Sequence, residues 1–222
     1  MVAVDAHRTA TLISLPRGDF ERIKKDPRFV RVVQLGRIVN ALRYTHMAGA
    51  ASSAEPESSG RRQRIASFLY LTGLLYEGFR VADVLGKDFK TSVAFQNGFA
   101  RLSKKPEVAR LRQGILNDLR NKAVFHNDDE VVEIGLDLID VDPVVFARSL
   151  DGTWGTTHYD LADLAVLKYA FRSAPAVDLD QQIRTTLPLI LNVAVEFGES
   201  AEALMGEVLL ELGWRREEER SV

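Results

Sequence analysis

One short run, Arg120-Asn121-Lys122-Ala123-Val124-Phe125-His126, holds residue types from which acid–base chemistry at a phosphate can be built without a metal. A guanidinium is always charged and can grip a phosphate through two parallel hydrogen bonds. An imidazole titrates near neutrality, so it can take a proton and give it back. Asn121 offers a donor and an acceptor with which to orient either group, and Lys122 adds a second cation. Glu77, beside Tyr76 in an apolar helical stripe, is a candidate to orient Arg120 or His126; pairing with Arg80 three residues on is an equally ready explanation.

The run lies at the end of an amphipathic helix and is followed by Asn127, Asp128 and Asp129. In these features the chain resembles the HEPN superfamily of helical proteins, whose ribonuclease members carry an arginine, four to six residues, then a histidine, often with asparagine after the arginine. Arg120, five intervening residues and His126 match that spacing, and Asn121 matches the preference. Four features set the match apart from a chance spacing: the RN pair, Lys122, the helix-end position, and a preceding long amphipathic helix, Arg61 to Leu85, as partner. The resemblance covers roughly residues 27–140.

It implies a bundle of HEPN type and a metal-independent endoribonuclease with no cofactor. His126 would take the proton from a ribose 2′-hydroxyl. The 2′ oxygen would attack the adjacent phosphate to leave a cyclic phosphate end, and Arg120 would offset the charge gathering on the phosphoryl oxygens. Asn121 would orient the histidine or the phosphate, with Lys122 and Glu77 in supporting roles. RNA is then the partner. A toxin or defence effector, restrained by an antitoxin or another regulatory protein, follows by analogy alone.

Residues six apart on an ideal helix differ by about 120° and rise about 9 Å, so Arg120 and His126 do not share a face. In the families the chain resembles, two copies line one cleft with both motifs, so a homodimer is part of the expectation, with Val124 and Phe125 available to its interface. A second reading stays open. Arg120 would interact with the last carbonyls of a helix, His126 would end the turn and Asn127 would cap the next element. The chain would then be a non-catalytic helical module that binds a partner protein or nucleotide, which its slightly acidic balance suits.

The elements that position this run are mostly helices. From about Pro27 to Ala50, Val30, Val33, Leu35, Ile38, Val39 and Leu42 fit one side of a helix. The segment AGAASSAEPESSG, ending at Gly60, reads as a connector. From Arg61 to Leu85, Ile65, Phe68, Leu69, Leu75, Tyr76, Phe79 and Ala82 form a wide apolar stripe. A shorter helix covers Ser92 to Ser103. Another starts near Pro106, a residue suited to a first turn, and buries Val108, Leu111, Ile115, Leu116 and Leu119 as it runs into the motif. Asp128 caps a further helix carrying Val131, Val132, Leu136 and Leu138. VVFARS, DGTWG and TTHYD read as a β-hairpin in the C-terminal half. Helices follow from about Asp160 to Arg172 and from Asp178, the latter bent near Pro188 and loosened near Gly198. Residues 1–19 read as an arm or short strand, and the last residues, WRREEERSV, as frayed and solvated. The whole is read as one mainly α domain over residues 1–222, with a core at about 27–140 and a hairpin and helical extension at about 141–222.

Composition narrows the classes. With 46% hydrophobic and 27% charged residues the chain can bury a core that offsets its ordering entropy. It has no cysteine, which excludes disulfides, thiolate zinc sites and cysteine nucleophiles. Gly-rich phosphate loops, dinucleotide fingerprints, His-Glu-x-x-His helices and Gly-x-Ser-x-Gly elbows are absent. His7, His46, His126 and His158 lack any metal-ligand spacing, so no metal is expected. A net charge of −2 argues against a broadly basic nucleic-acid coat. Arg61, Arg62 and Arg64 make one local basic cluster, read as a solvated first turn. Asn40, Arg43, His46 and His158 are weaker candidates, read as surface or packing groups. With no apolar run long enough for a signal or a membrane span, a cytoplasmic location without membrane contact is expected.

Overall fold

A computed structural model describes residues 9–13, 16–51, 57–119, 129–140, 160–172, 179–212 and 217–221. Three long helices organise it: α2 (Pro27–Ala51), α3 (Glu57–Asp88) and α10 (Leu179–Glu211), preceded by the short α1 (Arg17–Ile23). The fold is mainly helical, as the periodicity predicts. Among the described residues no helix is long and apolar enough to cross a membrane.

The start of α2 follows from local chemistry. Pro27 occupies the first turn, where its missing N–H leaves nothing unpaired. Asp26 caps the helix, its Oδ1 accepting from the Arg28 amide at 2.8 Å while the Arg28 guanidinium donates to the same carboxylate. Val32, Leu35, Val39 and Leu42 are buried, at steps of three and four. Val30 and Val33, expected in that face, are 42% and 56% exposed. In a run of three valines the periodicity leaves the register open, and packing against α3 and α10 selects Val32. The connector is also shorter than expected. Residues through Ala51 belong to α2 and those from Glu57 to α3, because alanine favours helix and Glu57 suits a first turn.

α3 buries Ile65, Phe68, Leu71, Leu75, Phe79, Ala82 and Leu85. Opposite them, α10 supplies Ile190, Val193, Phe197, Leu204 and Val208, all with almost no exposure. Phe197 packs edge-on against both Phe79 and Phe99, with centroids at 5.4 and 5.0 Å. The approach depends on Gly78: a Cβ there would lie 2.6 Å from the Phe197 ring. α10 runs unbroken through Pro188 and Gly198, so the loosening expected at Gly198 is not seen. Proline is tolerated because Pro188 and Arg184 both face solvent, where water can satisfy the freed carbonyl.

Between α3 and α10 the chain makes a series of short turns. Ser92 caps α4 (Val93–Phe95), its hydroxyl accepting from the Phe95 amide at 3.0 Å. α4 passes through a π-helical turn, Gln96–Ala100, into α5 (Arg101–Ser103). The helix expected from Pro106 onward is two pieces, α6 (Pro106–Gln113) and α7 (Ile115–Leu119), interrupted at Gly114. Beyond the motif come α8 (Asp129–Asp137) and α9 (Asp160–Ala170), which pack on one another. In α8 the buried residues are Val131 and Gly135, whereas Val132, Leu136 and Leu138 are exposed. α8 turns its glycine to α9, a closer approach than the larger apolar residues would permit.

Two arginines of the basic cluster make long-range pairs. Arg62 holds Asp160 with two hydrogen bonds at 3.3 and 3.2 Å, and Arg61 holds Asp180 at 3.1 Å. Both acids lie in the first turns of their helices, so the arginines fix the entries of α9 and α10 onto α3. β1 (Thr9–Ile13) pairs antiparallel with β2 (Glu217–Ser221), Thr9 opposite Ser221 and Ile13 opposite Glu217; Glu217–Ser221, part of the stretch expected to be frayed, is thus paired. The hairpin expected over VVFARS, DGTWG and TTHYD, and with it His158, lies outside the described residues.

Candidate functional site

Arg120, Asn121, Lys122 and His126, with Val124 and Phe125, lie outside the described residues; α7 precedes this run in the chain and α8 follows it. α7 ends at Leu119, one peptide bond before Arg120. Gly114 ends α6, donating to the Arg110 carbonyl at 2.9 Å, and its own carbonyl accepts from the Asp118 amide at 3.1 Å to begin α7. Leu116 and Leu119, three apart, are fully buried and anchor the short helix. Asp118 pairs with Arg172 at 3.1 Å beyond the end of α9, and the Arg172 guanidinium lies 4.0 Å from the Tyr169 ring centroid. From α3, the Tyr76 hydroxyl donates to Asn117 Oδ1 at 3.4 Å.

The chain is taken up again at Asp129, where Asp129 and Glu130 suit the positive end of α8. That helix is seated on α9 through Gly135. A Cβ at this position would stand 2.7 Å from the Ala165 carbonyl carbon and nearer still to its oxygen. Both flanks of the motif are therefore attached to the α3–α9 side of the molecule.

Next to the outgoing end of α7 is an open cleft of about 570 Å³, lined by α3, α5, α6 and α7. Tyr76, Phe79, Arg80 and Asp83 form its α3 wall; Arg112, Gln113 and Asn117 form the opposite side, with Ser103 at one end. Arg112 is fixed in place. It pairs with Asp83 and lies 4.8 Å from the Phe79 ring centroid, so its orientation is set before any ligand arrives. Arg80 is 57% exposed and makes a 3.4 Å pair with Glu77, an exposed contact worth little in high dielectric. Among the described residues Arg80 is one partner of Glu77.

The other candidates fall elsewhere. Asn40 is exposed on α2. Arg43 bridges to Glu202 of α10 at 2.9 Å, and His46 lines a groove between α2 and α10 with Val39, Leu42, Glu199 and Glu202. These are contacts between two helices, away from the α7 corner. Among the described residues no three His, Cys, Asp or Glu side chains converge as metal ligands.

Sequence reasoning did not single out Arg112, Asp83, Gln113 or Asn117. A signal existed: Tyr76, Phe79, Arg80 and Asp83 recur at i, i+3, i+4 and i+7, so polar groups edge the apolar stripe of α3 along one flank. Comparison of the chain with family models, with curated proteins and with solved structures returns no match.

Proposed function

We propose that the chain is a metal-independent endoribonuclease of HEPN type, with Arg120, Asn121 and His126 as its catalytic residues. The observation that supports the reading is on the flank: in the chain the Arg120–His126 sequence follows directly on the buried, cross-braced α7, and Asn117 of that helix lines a cleft holding two arginines. The mainly helical fold is compatible with it. His126 acts as the general base on the ribose 2′-hydroxyl and then as the acid for the departing 5′ oxygen. Arg120 binds the phosphate bidentately and stabilises charge as the pentavalent state forms. Asn121 orients the imidazole or the phosphate, while Lys122 and Glu77 act in support.

On an ideal helix a six-residue step would turn the two key side chains about 120° apart, so the reading includes a homodimer with both motifs in one cleft. A cytoplasmic toxin or defence role, checked by an antitoxin or regulatory protein, belongs to the same reading by analogy.

The second reading, a non-catalytic module for a protein or nucleotide, is favoured by the net charge of −2. Incubation of mixed RNA with the full chain in the presence of a chelator separates the two. Wild type should cut, and His126→Ala and Arg120→Ala should lose on the order of a hundredfold or more of the rate while keeping the wild-type circular dichroism. Equal cleavage by all three removes the site assignment. Loss of folding in Arg120→Ala supports the structural role. Light scattering at tens of micromolar should report a dimer, and a strict monomer would contradict the shared cleft.

A further inference from the structure

We infer that the cleft between α3 and α6–α7 is a nucleotide subsite, seating the residue of a single-stranded RNA next to the bond cut at the motif; the inference rests on the ribonuclease reading. Three observations lead there. The volume, about 570 Å³, is in the range of small-ligand sites and admits one nucleotide rather than a duplex. Asn117, which lines the cleft, precedes Arg120 by three residues in the chain, a separation of at most about 10 Å for an extended backbone. Its lining mixes two guanidiniums with neutral hydrogen-bonding groups from Ser103, Gln113 and Asn117. Amides and hydroxyls of this kind recognise the edges of unstacked bases, which single-stranded RNA offers and duplexes hide.

The two arginines differ in what they are free to do. Arg112 is engaged by Asp83 and Phe79, and its charge is largely answered within the protein. Arg80 is 57% exposed, and among the described residues its carboxylate contact, to Glu77, is a weak and exposed one. An arriving phosphate therefore gains most from Arg80, and Arg112 serves as a rigid wall. An acidic peptide would be drawn to the same cations but would leave the amide side of the cleft unused. The observations favour RNA on that account.

The test measures binding rather than cutting, with the full-length chain in a His126→Ala background. A labelled single-stranded RNA of mixed sequence is titrated by fluorescence anisotropy over a range of salt. Arg80→Ala should weaken binding about fivefold to tenfold and lower the slope of log affinity against log salt by about 0.7, the value of one lost phosphate contact on a single strand. Arg80→Lys should restore the slope but only part of the affinity. Asn117→Ala and Gln113→Ala should weaken binding with no change of slope. A free mononucleotide should compete at far higher concentration than the strand; equal competition would identify a nucleotide site and overturn the RNA assignment. Competition by a polyglutamate peptide, or an Arg80→Ala variant that matches its parent in affinity and slope, also overturns it. Failure here and failure of the nuclease reading are distinct outcomes: RNA cut by wild type with an unchanged Arg80 slope removes only the subsite, whereas an Arg80-dependent slope without cutting removes the nuclease, and with it the place of the subsite beside a cut bond, and leaves an RNA-binding cleft.

Discussion

Replacing one hydrogen by a methyl at two helical glycines should have opposite effects. In an open helix position Gly→Ala stabilises by up to about 1 kcal/mol, chiefly by restricting the unfolded chain. At Gly198, inside α10, a Cβ would meet nothing within 4 Å, so the full gain is expected. At Gly135 the methyl would stand 2.7 Å from the carbonyl carbon and 3.0 Å from the Cα of Ala165. Ordinary contact is 3.4–4 Å, so α8 and α9 must separate by roughly 1 Å, and the obstacle is backbone that cannot rotate aside. Overpacking costs about 1–3 kcal/mol. With the upper figure and the propensity gain subtracted, Gly135→Ala should be less stable by about 2 kcal/mol. For a urea dependence of about 2 kcal/mol/M, its unfolding midpoint by circular dichroism falls by about 1 M, while that of Gly198→Ala rises by up to about 0.5 M. Hydrogen exchange should show the loss first in the α8 amides. A Gly135→Ala midpoint at or above wild type would refute the α8–α9 crossing and, with it, the seating of the motif's downstream flank.

Other consequences concern the core and the entry to α2. Gly78→Ala places a methyl 2.6 Å from Phe197, a ring enclosed by Phe79 and Phe99, and should destabilise by about 1–3 kcal/mol in the same urea assay. Asp26→Ala removes the cap on the Arg28 amide and should cost about 1 kcal/mol. The Arg28 guanidinium beside Asp26, aided by the amide hydrogen bond, holds that carboxyl below the usual carboxylate range. Its folded value being lower than its unfolded one, the stabilisation is complete above about pH 4 and disappears as pH falls through the folded value. Hence the stability advantage of wild type over Asp26→Asn at neutral pH should shrink to nothing in strong acid; an advantage that grows on acidification would contradict the sign.

Much of the helical frame was legible because it rests on local signals. Pro106 and Ser92 marked true helix starts, and the apolar steps of α3 marked its buried side. What local pattern could not carry was set by partners far along the chain. Arg61 and Arg62 look like a solvated cluster until Asp180 and Asp160, about a hundred residues away, close on them. The register of α2 was ambiguous among Val30, Val32 and Val33, and the large apolar residues of α8 gave way to Gly135 because helix–helix distance, not hydrophobicity, governs that crossing. At the site, the residue types that could act on a phosphate could be named from the sequence. The cleft could not be, since it needs α7 packed on α3, far back in the chain, and α6 set at an angle to α7 by the turn at Gly114.

The central claim is most directly tested by the chemistry of the ends left on RNA. With chelator present, wild type should produce fragments ending in a 2′,3′-cyclic phosphate and a 5′-hydroxyl, and His126→Ala should produce none. Fragments with a 5′-phosphate, cleavage that requires an added divalent metal, or equal product from His126→Ala would contradict it.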